Sequence, residues 1–293
     1  MSTGHASRRP AARIPARTVW VDGRLMHGAD ATLSVFDRGA RDGEGLFETV
    51  RVYGGRVFQW ERHLERLVLS AAELGFPVPA SPAELAGGLE QVLAAEGLSD
   101  AVARITVTRG IPGARPTRST AWIEAEPLAG RIWEGTRHGA ATVVFSRVPF
   151  SPGWIGRHKT TSRIAWHLAR EDARAAGADE ALLVSPEGHV LEGASSNLFV
   201  VTGGALLTPP VESGVLPGIT RGWVLRTAGR LGVEVATGPI PAVQMRGAEE
   251  VILTNSVQGI VSVGRVVDTE VAGRAVADRL RARYQEAVAT GEP

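Results

Sequence analysis

The chain has no cysteine, and only one of its 32 lysine and arginine residues is a lysine, Lys159. Without thiols there can be no disulfide, no thiolate nucleophile and no cysteine-ligated metal, and the composition fits a cytoplasmic location. A surplus of either charge is also missing. The formal net charge is +1, so nothing argues for nucleic acid as a partner. No apolar run approaches the ~18 residues expected of a membrane span. Internal repeats, a Walker pattern and a dinucleotide glycine pattern are all missing. The seven histidines show no HExxH-type metal spacing. What remains is 293 residues, 44% hydrophobic and 22% charged, which is enough for one large or two medium domains with a sizeable core.

The scarcity of lysine is the informative absence. Arginine supplies nearly every cation in this chain, yet only a lysine amine can lose its proton near neutral pH when buried or crowded by other cations. A lone lysine is either compositional drift or an amine kept for covalent chemistry, in which it attacks an aldehyde to form a Schiff base. Composition does not separate the two, so the neighbours of Lys159 must.

Residues 1–17 hold four arginines, two prolines and no acid, which predicts a disordered tail. A small N-terminal domain is expected over 18–126. It has a turn at Asp22-Gly23, a hairpin around Gly54-Gly55, and a helix whose stripe is Leu64, Leu67, Val68 and Ala71. A second helix there opens on the capping box Ser81-Pro82-Ala83-Glu84. Residues 109–118 read as an arginine-rich loop. A linker is expected at 127–136, then a larger C-terminal domain over 137–293. In it a helix with stripe Ala165, Leu168, Ala169, Ala173 and Ala176 follows Lys159, and short strands come at 181–184, 189–192, 197–201, 205–207, 233–235, 250–253 and 260–263. Helices are expected at 219–231 and 272–288. The class is α/β (α+β).

Four stretches converge. Lys159 sits at a loop-to-helix corner. Gly218-Ile219-Thr220-Arg221 opens a helix, where free amides and the dipole suit a phosphate, although capping alone would also explain it. Thr254-Asn255-Ser256 ends a strand with small hydroxylated residues, which is also ordinary turn chemistry. Glu192-Gly193-Ala194-Ser195-Ser196-Asn197 puts a carboxylate at a strand end, where it could pair with a protonated pyridine nitrogen or simply face solvent.

Together with the segments HKTTSR, ADEALLVSPEGHVLEGASSNLFV, GVLPGITR and VILTNS, this order resembles the class IV aminotransferases. These are the fold-type IV pyridoxal-phosphate enzymes, among them branched-chain and D-amino acid aminotransferases and aminodeoxychorismate lyases. The resemblance implies a two-domain fold with pyridoxal 5'-phosphate in the cleft, and a homodimer. It implies Lys159 as the Schiff-base lysine and proton carrier, Glu192 as partner of the pyridine nitrogen, and Arg66, Ile219, Thr220 and Ser256 as phosphate contacts. Ser196 and Asn197 would flank the ring. Phe47, Arg115 and Val257 would face the substrate, with Phe47 standing where some members place a tyrosine. Asp42-Gly43-Glu44-Gly45 departs from the aromatic-Gly-Asp-Gly pattern common there, and Arg163 is similar to a residue of some lyases in the family. The expected reaction is amino transfer between an amino acid or amine and a 2-oxo acid. The alternatives are lysis of aminodeoxychorismate to 4-aminobenzoate and pyruvate, or a non-catalytic ligand-binding relative.

Overall fold

A computed structural model describes residues 17–113 and 119–292. The predicted tail 1–16 and Arg115 lie outside the described residues. Arg17, assigned to the tail, is on the sheet: its carbonyl accepts from Gly28 N at 2.7 Å and its guanidinium pairs with Glu126.

The first half of the chain builds an antiparallel sheet of β1 (Thr18–Val21), β2 (Arg24–His27), β3 (Gly45–Tyr53), β4 (Arg56–Val57), β5 (Ala101–Thr108) and β6 (Ala121–Pro127), in the order β2-β1-β6-β5-β3-β4. The short α1 (Arg38–Arg41), then α2 (Trp60–Leu74) and α3 (Pro82–Glu96), connect these strands. The Asp22-Gly23 turn has positive φ at both residues, which matches the twist of a two-residue hairpin. The capping box of α3 is formed on both sides, and the helix buries Leu85, Leu89, Val92 and Leu93.

The stripe of α2 is rotated from the expected one. It buries His63, Leu64, Leu67, Ser70 and Ala71, while Val68 is 42% exposed. Two polar side chains take the inner face because each has a buried partner, Glu48 for His63 and His158 for Ser70. Apolar periodicity cannot register a face that is partly polar.

The second half opens with α4 (Glu134–Arg137) and β7 (Ala141–Phe145), and α5 (Ile164–Ala175) follows the lysine. Then come β8 (Glu180–Val184), β9 (His189–Gly193), β10 (Asn197–Thr202), β11 (Ala205–Thr208), α6 (Ile219–Ala228), β12 (Val235–Thr237), β13 (Ile240–Pro241), β14 (Glu250–Asn255), β15 (Gly259–Val266), β16 (Thr269–Glu270) and α7 (Ala275–Thr290). Its sheet runs β12-β11-β10-β14-β15-β7-β8-β9-β13, with β16 on β15. A further pairing of Asn197 with Glu192 joins β10 to β9, so six of these strands close into a ring. The strand expected at 233–235 lies instead at Val235–Thr237, parallel to β11. The last helix starts three residues later than expected, and 229–231 is a 3-10 turn. On α5 the inner face is Trp166, Ala169 and Ala173, and Leu168 is 41% exposed. Trp166 displaces it because its indole packs edge-on against Phe150 and bonds a buried carboxylate. No helix among the described residues is long and apolar enough to cross a membrane.

Candidate active site

Strand alternation places the first wall. On β3, Leu46, Val50 and Val52 point into the N-terminal core with Glu48 among them, and Phe47 and Thr49 point the other way, into a cavity of about 360 Å³. Thr106 and Arg104 of β5 stand opposite Phe47 and Thr49, and Arg104 lines the same cavity.

Lys159 is fixed by backbone. The first residues of β3 have an open edge, and segment 159–161 occupies it: Phe47 N donates to Lys159 O at 2.9 Å and Thr161 N to Gly45 O at 2.8 Å. The hydroxyls of Thr161 and Ser162 both donate to Gly43 O. Glu44, the departure noted above, pairs with Arg38 and with Arg109, so it braces this corner rather than facing ligand. Arg109, first of the arginine-rich loop, also donates to Leu74 O at the end of α2; it is a strut.

The Lys159 amine sits 4.5 Å from the Phe47 ring centroid. Burial, and after it the guanidiniums of Arg163, Arg66 and Arg104, hold its pKa well below the usual lysine range, with Glu48 opposing them. The site therefore favours the neutral form of this amine far more than water does. Arg104 lies 3.7 Å and Arg163 5.7 Å from the same ring. Among the described residues, neither these two nor Arg170, which also lines the cavity, forms an ion pair. Arg170 donates to His167 instead.

Across the cavity lies Glu192, 3% exposed. Trp166 Nε1 donates to one of its oxygens at 3.0 Å; Leu216 N at 3.0 Å and Asn197 Nδ2 at 3.4 Å donate to the other. Burial outweighs these donors and holds the carboxyl above the usual range. Among the described residues, no cation is hydrogen-bonded to it. Asn197 also donates to Leu216 O at 2.9 Å, tying Glu192 to the approach to α6. Ser196 donates its proton to Glu180, as does Ser195, so it presents only lone pairs to the cavity.

The third wall is the start of α6. Gly218 is its N-cap, in extended conformation, and no side chain caps the helix. The first-turn amides of Ile219 and Thr220 thus lack a side-chain acceptor where both residues line the cavity. A methyl on Gly218 would run into Asn197 Oδ1. Gly218→Ala is expected to lower the unfolding free energy by roughly 1–3 kcal/mol, read from the urea midpoint. An unchanged midpoint would show that Asn197 is free to move.

Two elements from far along the chain close this wall. Arg66 on α2 holds Glu48 with two bonds of 2.7 and 2.6 Å and reaches Pro217 O at 3.0 Å. Glu48 is fully buried; burial pushes its pKa up, but Arg66 and His63 bring it down to about 2. The turn after β14 brings Ser256 and Val257 to the cavity. Asn255 Oδ1 accepts from the amides of Val257 and Gln258, and Val257 O accepts from Arg51. Among the described residues, Thr254 Oγ1, buried on the same lining, has no hydrogen-bond partner.

Lys159, Arg66, Glu192, Ser196, Asn197, Ile219, Thr220, Ser256, Phe47 and Val257 therefore line one cavity. Sequence reasoning missed Glu48, His63, Arg104 and Trp166. A glutamate among the otherwise apolar inward positions Leu46, Val50 and Val52 of β3 was the available signal for the first.

The profile of the amino-transferase class IV family matches residues 45–266. The putative branched-chain-amino-acid aminotransferase of Methanocaldococcus jannaschii is 33% identical, covering 92% of this chain and 95% of that protein. The D-alanine aminotransferase of Listeria monocytogenes is 28% identical over 87% of this chain and 89% of its own length. Among solved structures, the branched-chain aminotransferase of the thermophilic archaeon Thermoproteus uzoniensis with norvaline superposes with a TM-score of 0.82 at 27% identity, covering 94% of this chain and 96% of that one. A branched-chain amino acid aminotransferase with pyridoxamine 5'-phosphate, from the organism abbreviated T.th., superposes with a TM-score of 0.83 at 30% identity, covering 96% of this chain and 97% of that one. With a half-buried lysine, a buried glutamate and an open helix start around one cavity, and a family profile spanning most of its length, the chain belongs to the class IV aminotransferases.

Proposed function

We propose that the chain moves an amino group between an amino acid and a 2-oxo acid with pyridoxal 5'-phosphate as cofactor, Lys159 being the residue that holds it covalently and carries the proton. The observation that carries this reading is the Lys159 amine, its pKa held well below the lysine range, facing the same cavity as Glu192.

The residues present fit the cofactor. The Ile219 and Thr220 amides, the Arg66 guanidinium and the Thr254 and Ser256 hydroxyls are donors suited to a phosphate, and Thr254 Oγ1 has no other partner among the described residues. Glu192, held above its usual pKa with no bonded cation, gains from a protonated ring nitrogen. Once bound, the cofactor supplies the electron sink that makes a substrate Cα proton removable. With its pKa lowered, Lys159 Nζ is suited to take and return that proton. Arg104, Arg163 and Arg170, without an ion-pair partner among the described residues, suit an anionic substrate such as an amino or 2-oxo acid. Phe47 offers an apolar floor and Val257 a flanking wall.

A homodimer is part of the same proposal. The apolar side chains left exposed at Val68, Leu69, Trp154, Ile155 and Ile164 support it, and a monomer mass by light scattering would remove it.

Borohydride reduction of the holoprotein should fix the pyridoxyl group on the peptide carrying Lys159, and an amino-acid and 2-oxo-acid panel should show transfer. A label elsewhere would overturn the assignment of Lys159. Release of 4-aminobenzoate from aminodeoxychorismate without an acceptor would change the reaction to a lysis.

A further inference from the structure

Three side chains from three distant segments form an unbroken chain of hydrogen bonds behind the phosphate-type wall. Glu48 Oε2 meets His63 Nδ1 at 2.8 Å, and His63 Nε2 meets Ser256 Oγ at 3.2 Å. Glu48 and His63 are each 1% exposed. Ser256 is the end of the chain that lines the cavity.

Bond polarity is fixed at the Glu48 end of this chain and follows the His63 proton at the Ser256 end. Glu48 is ionised and accepts only, so His63 Nδ1 carries a proton. If the imidazole is neutral, Nε2 is a bare acceptor and the Ser256 hydroxyl must donate to it. Ser256 then shows the cavity only lone pairs, the wrong polarity for an anion. If Nε2 is protonated, it donates to Ser256 Oγ, and the hydroxyl proton turns to the cavity. We propose that Glu48, His63 and Ser256 form a proton-linked clasp, in which His63 takes up one proton when a dianion occupies the cavity beside Ser256, so that His63 is a positioning residue for the phosphate. This rests on the cofactor reading above for the identity of the dianion.

The groups around the imidazole set its balance. Glu48 on β3 favours the cation. Burial opposes it most, and Arg66 on the same helix and Lys159, when charged, add to that, so His63 lies below its usual pKa. Arg51 and Tyr53 of β3, Thr220 of α6 and Tyr284 of α7 share a small void with His63 and Ser256, and the Arg51 guanidinium there brings no negative charge to favour the cation. Two negative charges beside Ser256 reverse that balance. By linkage, anion affinity must fall as pH rises between the free and bound pKa values of His63, by up to about tenfold per unit.

Sulfate is the probe, because it does not titrate in the working range. Calorimetry of the cofactor-free chain with sulfate, in buffers of different ionisation enthalpy, should show about one proton taken up per anion. His63→Gln should abolish the uptake while Lys159 is still present. Uptake that persists in this variant would assign the proton to the lysine and overturn the proposal. Sulfate binding with no uptake, or no binding, would do the same. Imidazole nitrogen NMR on the unaltered chain guards against a variant that fails to fold. His63 Nε2 should be bare without anion and protonated in the holoprotein, and a bare nitrogen in both sinks the clasp. The borohydride label tests the cofactor reading separately, so the two failures are distinguishable.

Discussion

Replacing Lys159 with arginine should abolish amino transfer, by at least about 10³-fold, and lower the melting temperature; replacing it with methionine should abolish transfer equally and raise the melting temperature of the cofactor-free protein. The difference lies in the proton. An arginine in this position cannot shed its charge, so a further permanent cation would join Arg163, Arg66 and Arg104 in a closed space. Lysine avoids that by giving up its proton, at a cost in stability. Its folded pKa is well below the ordinary 10.5. Between those two values the unfolded chain holds a proton that the folded chain has lost. Stability of the cofactor-free protein therefore climbs with pH across that window and falls as pH drops through it. Methionine has no proton to lose, fills similar volume beside Phe47, and should flatten the slope. Melting curves from pH 6 to 10 on the three proteins are the measurement. A methionine variant with the slope of the parent protein would mean that the amine is charged and solvated, and the central assignment would fail.

Glu192→Gln should reduce kcat by about 10²-fold or more and unfolding free energy by roughly 1–3 kcal/mol. The glutamate accepts on both oxygens, from Trp166 on one and from Leu216 and Asn197 on the other. An amide has one acceptor end. Whichever way it lies, its NH₂ faces a donor, and a buried donor is left without a partner. The amide also carries no charge with which to keep a ring nitrogen protonated. The KM for the amino acid should move little, because the unpaired guanidiniums of Arg104 and Arg170 are not bonded to Glu192. Steady-state kinetics that show a KM effect alone, with kcat kept, would place Glu192 on the substrate side.

Much of the local structure was legible because it is fixed by near neighbours. Ser81 and Glu84 are three residues apart, and their mutual cap forms as the pattern requires. Asp22-Gly23 and Gly54-Gly55 turn the chain where two-residue hairpins demand positive φ. The lysine stood out by scarcity. What misled was the assumption that an inward helix face is apolar: Val68 and Leu168 lost their places to His63, Ser70 and Trp166, each of which has a buried polar partner.

The sequence by itself determined the inventory: a lone lysine, a helix start at Gly218-Ile219-Thr220, a carboxylate on a short hairpin, and arginine as nearly every cation. These follow from residue type and from spacings of a few positions. Only the tertiary structure decided which of those charges share a cavity and what each is bonded to. Ser256 and His63 are 193 residues apart, and Arg66 reaches Pro217 across 151. A hydrogen bond's polarity and a buried group's proton depend on such neighbours and on the loss of water, and neither is written in the order of residues along the chain.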